Sequence, residues 1–157
     1  MSIRFANILV PTDFSDASRP AVECALGLIE SFNAQLHCLH VVDDACQYWS
    51  AIGPESLPLG PPPEEILELG RTRMTKFCER TFADLTTPAI SNVVLGRPFL
   101  EIITYAKQNR VDLIVMSTHG RGAIAHVLLG STTEKVVRKA SCAVLTVRTP
   151  EHTFVMP

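Results

Sequence analysis

Glycines and hydroxyl side chains are concentrated in one segment of the chain, residues 117–133. The segment contains Gly120, Gly122 and Gly130 and ends in a run of hydroxyl residues, 131–133. Glycine lets the backbone approach a ligand closely, and the N–H groups and dipole of a helix N-terminus attract phosphate. The segment therefore predicts a phosphate-binding loop that ends on the first turn of a helix.

A purely structural explanation of the same hydroxyl residues is a capping box. Ser131 and Glu134 have the three-residue offset of an S-x-x-E box, in which the serine side chain caps the helix N-terminus. Both explanations can hold together, so the pattern alone leaves phosphate binding and capping open.

Two better-known phosphate motifs fit the segment poorly. Residues 120–125 match the relaxed dinucleotide fingerprint G-x-G-x-x-A, but they lie in the last β–α unit, and the next strand ends in residues 147–149 (Val-Arg-Thr) without the ribose-binding acid. A P-loop requires a lysine between its last glycine and the hydroxyl residue, whereas Ser131 follows Gly130 directly. A dinucleotide site of that kind and a P-loop hydrolase are both disfavoured.

Alternating strands and helices must position this segment. The apolar patterns predict strands over 7–10, 35–42, 89–95, 111–117 and 142–147, and helices over 17–32, 64–85, 99–109 and 131–139. This order predicts a doubly wound α/β fold, a parallel sheet with helices on both faces. Ligands of such folds lie beyond the carboxyl ends of the strands. If the first and fourth strands are neighbours, the loop after Pro11 meets the glycine segment.

The length and composition fit one compact domain. The chain has 157 residues, of which 46% are hydrophobic and 19% charged, as is usual for a folded domain. We predict a domain over 1–150 and an unstructured tail over 151–157. A loop rich in proline and glycine, 43–63, interrupts the pattern, and loops of this length are typical of lids, binding loops or disordered insertions.

Charge and hydropathy argue against several classes of partner. The net charge of -2 offers no general attraction for nucleic acid or an anionic membrane. The N-terminus lacks the pattern of a signal peptide, and no apolar run approaches the roughly 20 residues that span a bilayer. We therefore expect a cytoplasmic protein without nucleic-acid or membrane partners.

The cysteines do not predict a metal site. The chain has five of them and no C-x-x-C pair. Cys38 and Cys142 lie in apolar runs and are predicted to be buried. Cys46 lies in a polar loop without zinc-ligand spacing.

Several motifs together resemble the universal stress protein family. Its nucleotide-binding branch carries Gly-x-x-Gly, nine residues and Gly-Ser/Thr, and here Gly120, nine residues and Gly130-Ser131 match in spacing. Residues 7–15, 39–42 and 96–98 also resemble family signatures, and the likeness spans 5–148. Ser117 stands where the pattern has its first glycine; its Cβ could crowd a ribose, and its hydroxyl can donate a hydrogen bond.

The resemblance implies a five-stranded sheet of order 3-2-1-4-5 that binds ATP or another adenine nucleotide, with or without Mg²⁺. Pro11 and Thr12 would shape the loop beside the nucleotide, and Asp13 would contact the ribose or the base edge. Asp13 is equally well explained as an N-cap of the first helix. The backbone of Val41 would contact adenine. The resemblance implies further contacts to the ribose from Met116 and Ser117, and to the phosphates from Gly120, Gly130, Ser131, Thr132 and Thr133.

Basic and titratable side chains near the segment have two explanations each. His119 either contacts a phosphate or hydrogen-bonds its own loop, and Arg121 either reaches a phosphate or stays solvated. His37, His40 and His126 show no ligand spacing, and packing in the core or at the surface explains them better.

Three functional hypotheses follow. The first is a nucleotide-binding regulatory or sensor module of a stress response. Its hydrolysis is expected to be absent or slow, because the motif segment has only one acidic side chain, Glu134, for the several tasks of phosphoryl transfer. The second is a homodimeric interaction protein that binds no nucleotide, and the third is a weak ATPase. Strand 142–147 is the expected dimer contact because an apolar sheet edge is usually covered, although the tail after Pro150 could cover it instead.

Overall fold

The computed structural model describes residues 4–44, 61–118 and 129–148. In chain order the elements are β1 (Asn7–Pro11), a 3-10 turn (Asp16–Ser18), α1 (Arg19–Phe32), β2 (Gln35–Asp43), α2 (Pro63–Thr81), β3 (Ile90–Gly96), α3 (Pro98–Gln108), β4 (Leu113–Ser117), α4 (Ser131–Lys139) and β5 (Ala143–Val147). Most of the predicted loop 43–63 and the whole tail 151–157 lie outside the described residues, so the predicted domain limits stay a prediction.

The five strands form one parallel sheet of order β3-β2-β1-β4-β5. This confirms the predicted doubly wound fold and its strand order. β1 is the central strand, and the chain moves from it to β2 on one side and returns to β4 on the other. Pro11 of β1 is opposite Leu39 of β2, and Leu9 of β1 is opposite Ile114 of β4.

Successive residues of the central strands pack against opposite layers of helices. Ile8 and Val10 belong to a buried cluster with residues of α1 and α2, whereas Leu9 belongs to a second cluster with residues of α3 and α4. All three side chains are fully buried. A strand covered on both faces reads as a continuous apolar run, which is why residues 7–10 were recognisable as a buried strand.

A carboxylate fastens the start of β1 to the start of β4. Asp112 Oδ2 accepts hydrogen bonds from the backbone N–H of Ala6 at 2.8 Å and of Asn7 at 2.9 Å. The N–H of Asp112 donates in return to the carbonyl oxygen of Asn7 at 2.9 Å. Bonds to an ionised acceptor are stronger than neutral ones, so this contact holds the two strands in register.

Helix α2 lies unusually close to β2 and β3 because it has a glycine at the contact. A Cβ added to Gly70 would lie 2.9 Å from Cγ1 of Val93 and 3.5 Å from Cγ2 of Val42. The absent side chain therefore lets the helix backbone approach the sheet, and Met74 of the same helix is buried one turn further on.

The helix limits differ from the predicted ones by more than one residue at two places. Residues 16–18 form a 3-10 turn, so α1 begins at Arg19 instead of residue 17, with Pro20 in its first turn. α2 ends at Thr81 instead of residue 85. Among the described helices, none is long and apolar enough to cross a bilayer; the cytoplasmic location stays a prediction.

Two neighbouring valines of α4 test which face of this helix meets the core. Val136 is 0% exposed and Val137 is 44% exposed. We expect Val136→Ala to lower the free energy of unfolding by about 2 kcal/mol, and Val137→Ala to change it by less than about 0.5 kcal/mol. Both changes have the same effect on helix propensity. The difference between the two variants in the free energy of unfolding, measured by urea denaturation, therefore reports the burial of Val136 alone. Equal losses in the two variants would contradict the assigned face.

Candidate functional site

The predicted site residues that the structure describes lie at the carboxyl edge of the sheet. β1 ends at Pro11 and β4 ends at Ser117, and the two strands are hydrogen-bonded neighbours. Their ends therefore meet at the point where the strand order reverses, as the sequence predicted. The 3-10 turn after β1 packs against β4.

The loop after β1 is held by a network of hydroxyl groups. The Thr12 N–H donates to the carbonyl oxygen of Leu39 at 2.9 Å, and Thr12 Oγ1 accepts from the N–H of Phe14 at 3.0 Å. Ser18 Oγ donates its hydrogen to the carbonyl oxygen of Ser15 at 2.8 Å, so in the 3.3 Å contact between the two hydroxyls Thr12 is the donor to Ser18. Thr12 and Ser18 are both buried.

Asp13 is not the N-cap of the first helix, so that alternative is wrong. The N-cap of α1 is Ser18, and that of the preceding 3-10 turn is Ser15. Asp13 Oδ1 instead accepts from the N–H of Ser15 at 3.0 Å and from the Ser15 hydroxyl. The side chain of Asp13 thus forms an Asx-turn with the backbone two residues later. This turn holds the Asp13 carboxylate at the carboxyl edge of the sheet.

Phe14 and His40 support this loop from the side of β2. Phe14 has a φ of 62°, a conformation that is strained for a bulky residue. Its ring packs against His40, with 4.3 Å between ring centroids, and against Phe77 of α2 at 5.5 Å. His40 Nδ1 lies 2.8 Å from the carbonyl oxygen of Thr12. Because a carbonyl oxygen only accepts, Nδ1 carries the hydrogen.

His37 and His40 have the packing roles that the sequence favoured. His37 is buried, and its ring nitrogens lie 3.0 Å from the Tyr105 hydroxyl and 3.4 Å from Asn7 Oδ1. Burial lowers the pKa of His37, which favours the neutral ring. His126 lies outside the described residues.

β2 extends beyond the end of β1. The β1–β2 ladder ends where Pro11 is opposite Leu39, whereas β2 continues to Asp43 and pairs with β3 through Val41 and Val94. Val41 therefore lies on the stretch of β2 that overhangs the end of β1, at the same edge as Asp13. The Val41 side chain packs against the α3–α4 side of the core.

The two residues that end β4 point to opposite faces. The side chain of Met116 belongs to the core cluster with Ile114 and Val136, so this side chain is a packing group. Ser117 is 7% exposed, and its hydroxyl has no hydrogen-bond partner in the described part of the chain. An unpaired buried hydroxyl destabilises the folded state by about 1–3 kcal/mol.

The N-terminus of α4 is tied to the end of β4. The N–H of Gly130 donates to the carbonyl oxygen of Thr118 at 2.6 Å, and the Thr133 hydroxyl donates to the carbonyl oxygen of Ser117 at 2.9 Å. Thr118 continues the strand geometry, since its N–H donates to the carbonyl oxygen of Val147 at 3.0 Å. The first turn of α4 is thereby positioned directly beside Ser117.

The capping-box explanation of residues 131–134 is wrong. The N-cap of α4 is Gly130, in an extended conformation, and no side chain of the described residues caps this helix. Ser131 is therefore the first helical residue, and Glu134 forms an ion pair with Arg138 at 3.0 Å instead of reaching back. The first N–H groups of a helix have no partners within the helix, so those of residues 131–133 are not used by α4 itself.

Acidic groups in the described part do not assemble a metal site. No group of three or more histidine, cysteine, aspartate or glutamate side chains within residues 4–44, 61–118 and 129–148 could hold a metal ion. Asp13 and Glu134 are both engaged, with Ser15 and Arg138 respectively. These residues do not fit the ligand set of Mg²⁺ by themselves.

Three residues of the predicted site, His119, Gly120 and Arg121, lie outside the described residues. The predicted site residues that the structure describes fall into three groups. Residues 130–133 present backbone N–H groups at the start of α4, Asp13 and Ser117 present polar side chains, and the remaining residues pack against their neighbours. Sequence reasoning missed that Ser15, Ser18 and His40 hold the loop of Asp13. The contact of His40 with Thr12 joins distant parts of the chain, and only the adjacency of β1 and β2 in the sheet could have indicated it.

Comparison with known proteins agrees with this geometry. A model of the universal stress protein family matches residues 4–148. Universal stress protein MJ0531 of Methanocaldococcus jannaschii is 31% identical over 94% of this chain and 84% of its own length. The solved structure of universal stress protein UspA from Lactobacillus plantarum is 32% identical, covers 94% of this chain and 100% of that chain, and has a TM-score of 0.76.

A further solved structure is that of a universal stress protein in complex with cAMP. It is 24% identical over 94% of this chain and 99% of that chain, with a TM-score of 0.67, and at this identity the likeness establishes a common fold. The family match spans nearly all of the sheet and both layers of helices. This chain therefore belongs to the universal stress protein family.

Proposed function

We propose that this protein binds an adenine nucleotide at the carboxyl edge of its sheet and acts as a nucleotide-dependent regulatory module of a stress response. The observation that carries the proposal combines two features of the described part of the chain: the N-terminus of α4 has no side-chain cap, and the buried hydroxyl of Ser117 has no hydrogen-bond partner. Both features are unfavourable in the absence of a ligand, and both are relieved by an oxygen-rich anion.

The phosphates would bind the first turn of α4. The N–H groups of Ser131, Thr132 and Thr133 lie at the positive end of the helix dipole, and Ser131 is exposed. Thr133 would contribute its N–H and not its hydroxyl, because the hydroxyl is engaged with Ser117. Gly130 brings no side chain between these donors and a ligand. His119, Gly120 and Arg121 remain proposed contacts.

The ribose would lie between the ends of β1 and β4. Ribose hydroxyls donate hydrogen bonds to a carboxylate such as Asp13 and accept one from a hydroxyl such as Ser117. Adenine would follow along the overhanging stretch of β2 at Val41. Pro11, Thr12 and Met116 would then shape the loop and the wall by packing.

The relative in complex with cAMP supports the choice of an adenine nucleotide only through the shared fold. The proposal that this chain binds an adenine nucleotide therefore rests on its own hydrogen-bond donors, the N–H groups at the start of α4 and the hydroxyl of Ser117. When the nucleotide is bound it supplies a charged phosphate group that can tie the α4 N-terminus to the loops around it. A regulatory module works in this way, because a ligand shifts the protein toward the conformation that binds the ligand better.

Hydrolysis is proposed to be absent or slow. Phosphoryl transfer requires groups that hold a metal ion, orient water and stabilise the developing charge. The acidic side chain in the first turn of α4, Glu134, is paired with Arg138 on the exposed face of the helix. Weak ATPase activity stays an alternative that a turnover assay with ATP and Mg²⁺ would reveal.

A charge placed at the first residue of α4 separates ligand binding from folding. In Ser131→Asp the new carboxylate would repel a phosphate but interact favourably with the helix dipole, by about 0.3–1 kcal/mol. We expect the Kd for ATP to rise at least about tenfold, equivalent to about 1.4 kcal/mol, while the thermal midpoint without nucleotide stays equal or increases. Isothermal titration and thermal unfolding measure the two effects.

The matched control for this variant is Thr75→Asp, which places the same charge on the exposed side of α2. It should leave the Kd unchanged. Titrations with AMP, ADP, ATP and cAMP identify the preferred nucleotide. Unchanged affinity in Ser131→Asp, or no detectable binding of any of the four nucleotides by the wild-type protein, would contradict the proposal and favour an interaction protein that binds no nucleotide.

The unpartnered hydroxyl of Ser117 predicts opposite effects on stability and on binding. In Ser117→Ala the loss of an unpaired buried group should raise the free energy of unfolding of the ligand-free protein by about 1 kcal/mol. The Kd for the nucleotide should increase about fivefold, because one hydrogen bond, worth about 1 kcal/mol, is lost.

Ser18→Ala is the matched control, because Ser18 is equally buried at 7% exposure but has two partners. Its removal should lower the free energy of unfolding by about 1 kcal/mol. Urea denaturation of the two variants tests the contrast. A destabilised Ser117→Ala variant with unchanged affinity would mean that the Ser117 hydroxyl is a structural group.

The proposal includes a homodimer through β5. This strand is the last of the sheet beyond β4, and in the single chain Leu145 is 38% exposed. An apolar edge strand is usually covered by another strand or segment. A second copy of the chain is the proposed cover, and the tail after Pro150 is the alternative.

A charge at the β5 edge tests the dimer. Leu145→Lys should convert a dimer into a monomer, because a lysine at an apolar interface must be desolvated. Ile90→Lys is the matched control, since Ile90 is 47% exposed at the opposite edge strand, β3. Light scattering on gel-filtration peaks reads the mass directly. A monomeric wild-type protein, or a dimer in both variants, would exclude this interface.

A further inference from the structure

Two thiol groups meet beneath α2, on the face of the sheet that α1 and α2 cover. Cys38 of β2 is fully buried and Cys78 of α2 is half-buried, and both belong to the same core cluster. The two thiols are close enough for each to be the largest influence on the pKa of the other, and Ser91 also acts on the pKa of Cys78. Ser91 of β3 is the direct neighbour of Cys38 across the sheet. Cys78 therefore lies over a pair of polar groups on adjacent strands.

The fold forces this approach. Gly70 lets α2 lie close to β2 and β3, and Cys78 is two turns further along the same helix, in the part that packs against the sheet with Met74. The two cysteines are far apart in sequence and share no C-x-x-C spacing. Their contact is a product of the packing of α2.

The two thiols differ in their tendency to ionise. The hydrogen bond from Cys38 lowers the pKa of Cys78 to about 7 against the opposing effect of burial; Ser91 lowers it further, and the charge of Glu79 raises it. The same hydrogen bond, together with burial and the charge of Cys78, raises the pKa of Cys38. The pair thus consists of a half-buried cysteine with a lowered pKa and a buried cysteine with a raised pKa. A lower pKa increases the fraction of thiolate, which is the reactive form of cysteine.

We propose that Cys38 and Cys78 form a site of reversible oxidation, at which a hydroperoxide oxidises Cys78 and Cys38 then closes a disulfide between β2 and α2. This site is separate from the nucleotide site, and the inference does not depend on nucleotide binding. A low-pKa cysteine with access to solvent and a second thiol in reach is the arrangement of oxidation-sensitive cysteines.

The reaction balances in two steps. The Cys78 thiolate attacks the peroxide, the O–O bond breaks, one oxygen stays on sulfur as the sulfenic acid and the other leaves as water after protonation. The Cys38 sulfur then attacks the sulfenic sulfur, the S–S bond forms, and the S–O bond breaks as the hydroxyl leaves with the Cys38 proton as water. Two thiols and one hydrogen peroxide become one disulfide and two waters.

Cys24 and Cys142 provide internal comparisons. Both are half-buried; for Cys142 this corrects the prediction that it is buried. Burial raises the pKa of Cys142, which lowers its thiolate fraction. In the folded, reduced protein at pH 7, Cys78 should react with iodoacetamide at least about tenfold faster than Cys142, as measured by peptide mass spectrometry at successive times.

Hydrogen peroxide tests the proposal on the full-length wild-type chain. We expect the loss of two free thiols per chain, a peptide that links Cys38 to Cys78, and full recovery on reduction with dithiothreitol. In Cys38→Ala the reaction should stop at a sulfenic acid on Cys78 that dimedone traps, and Cys78→Ala should protect Cys38. The control Cys24→Ala should form the disulfide as the wild type does.

Several outcomes would overturn the proposal. These are an unmodified Cys78 in the folded protein, a disulfide that joins Cys78 to Cys46 or to a second chain, and a Cys38→Ala variant that gives the same product as the wild type. If Cys38→Ala does not fold, the alkylation rates and the disulfide map of the wild-type protein decide the question alone.

Discussion

The pairing of β1 with β4 is the constraint on which the rest of this structure depends. It makes β1 the central strand, flanked on both sides, so the chain must leave its carboxyl end toward β2 and return to β4. The Asp112 carboxylate fastens the start of this pair through two backbone N–H groups. Because both strands run in the same direction, their ends lie at one edge of the sheet, and the Asp13 loop and the first turn of α4 both lie at that edge.

This edge of the sheet contrasts with the core beside it. Ile8, Leu9 and Val10 are fully buried, and the loop of Thr12 satisfies its hydroxyl groups internally. Ser117 and the first turn of α4, by comparison, keep donors without partners in the described part of the chain. A protein of marginal stability that retains such groups at one edge gives up folding free energy there, and a ligand that accepts their hydrogen bonds recovers it.

The α1–α2 face of the sheet carries a different kind of chemistry. On β2, Cys38 faces α2 within the sheet, while Val41 lies on the stretch beyond the end of β1. The close approach of α2 at Gly70 brings Cys78 of this helix to the core cluster that contains Cys38. One strand thus contributes to a proposed ligand site and to a proposed oxidation site, through residues on different parts of its length.

The sequence by itself determined the fold class, the strand order through its family resemblance, and the residues 131–139 of α4, because these follow from local hydrophobic periodicity and motif spacing. It also located the carboxyl-edge residues. The tertiary structure alone decided that Gly130 and not Ser131 is the N-cap, that Asp13 turns back to Ser15, and that His40 holds Thr12. It alone brought Cys78 to Cys38. Where a helix begins depends on the path on which the chain enters it, which is also why Asp13 accepts from Ser15 within its own loop instead of capping α1. The contacts of His40 with Thr12 and of Cys78 with Cys38 join separate elements, so their energies depend on packing that no local pattern of residues encodes.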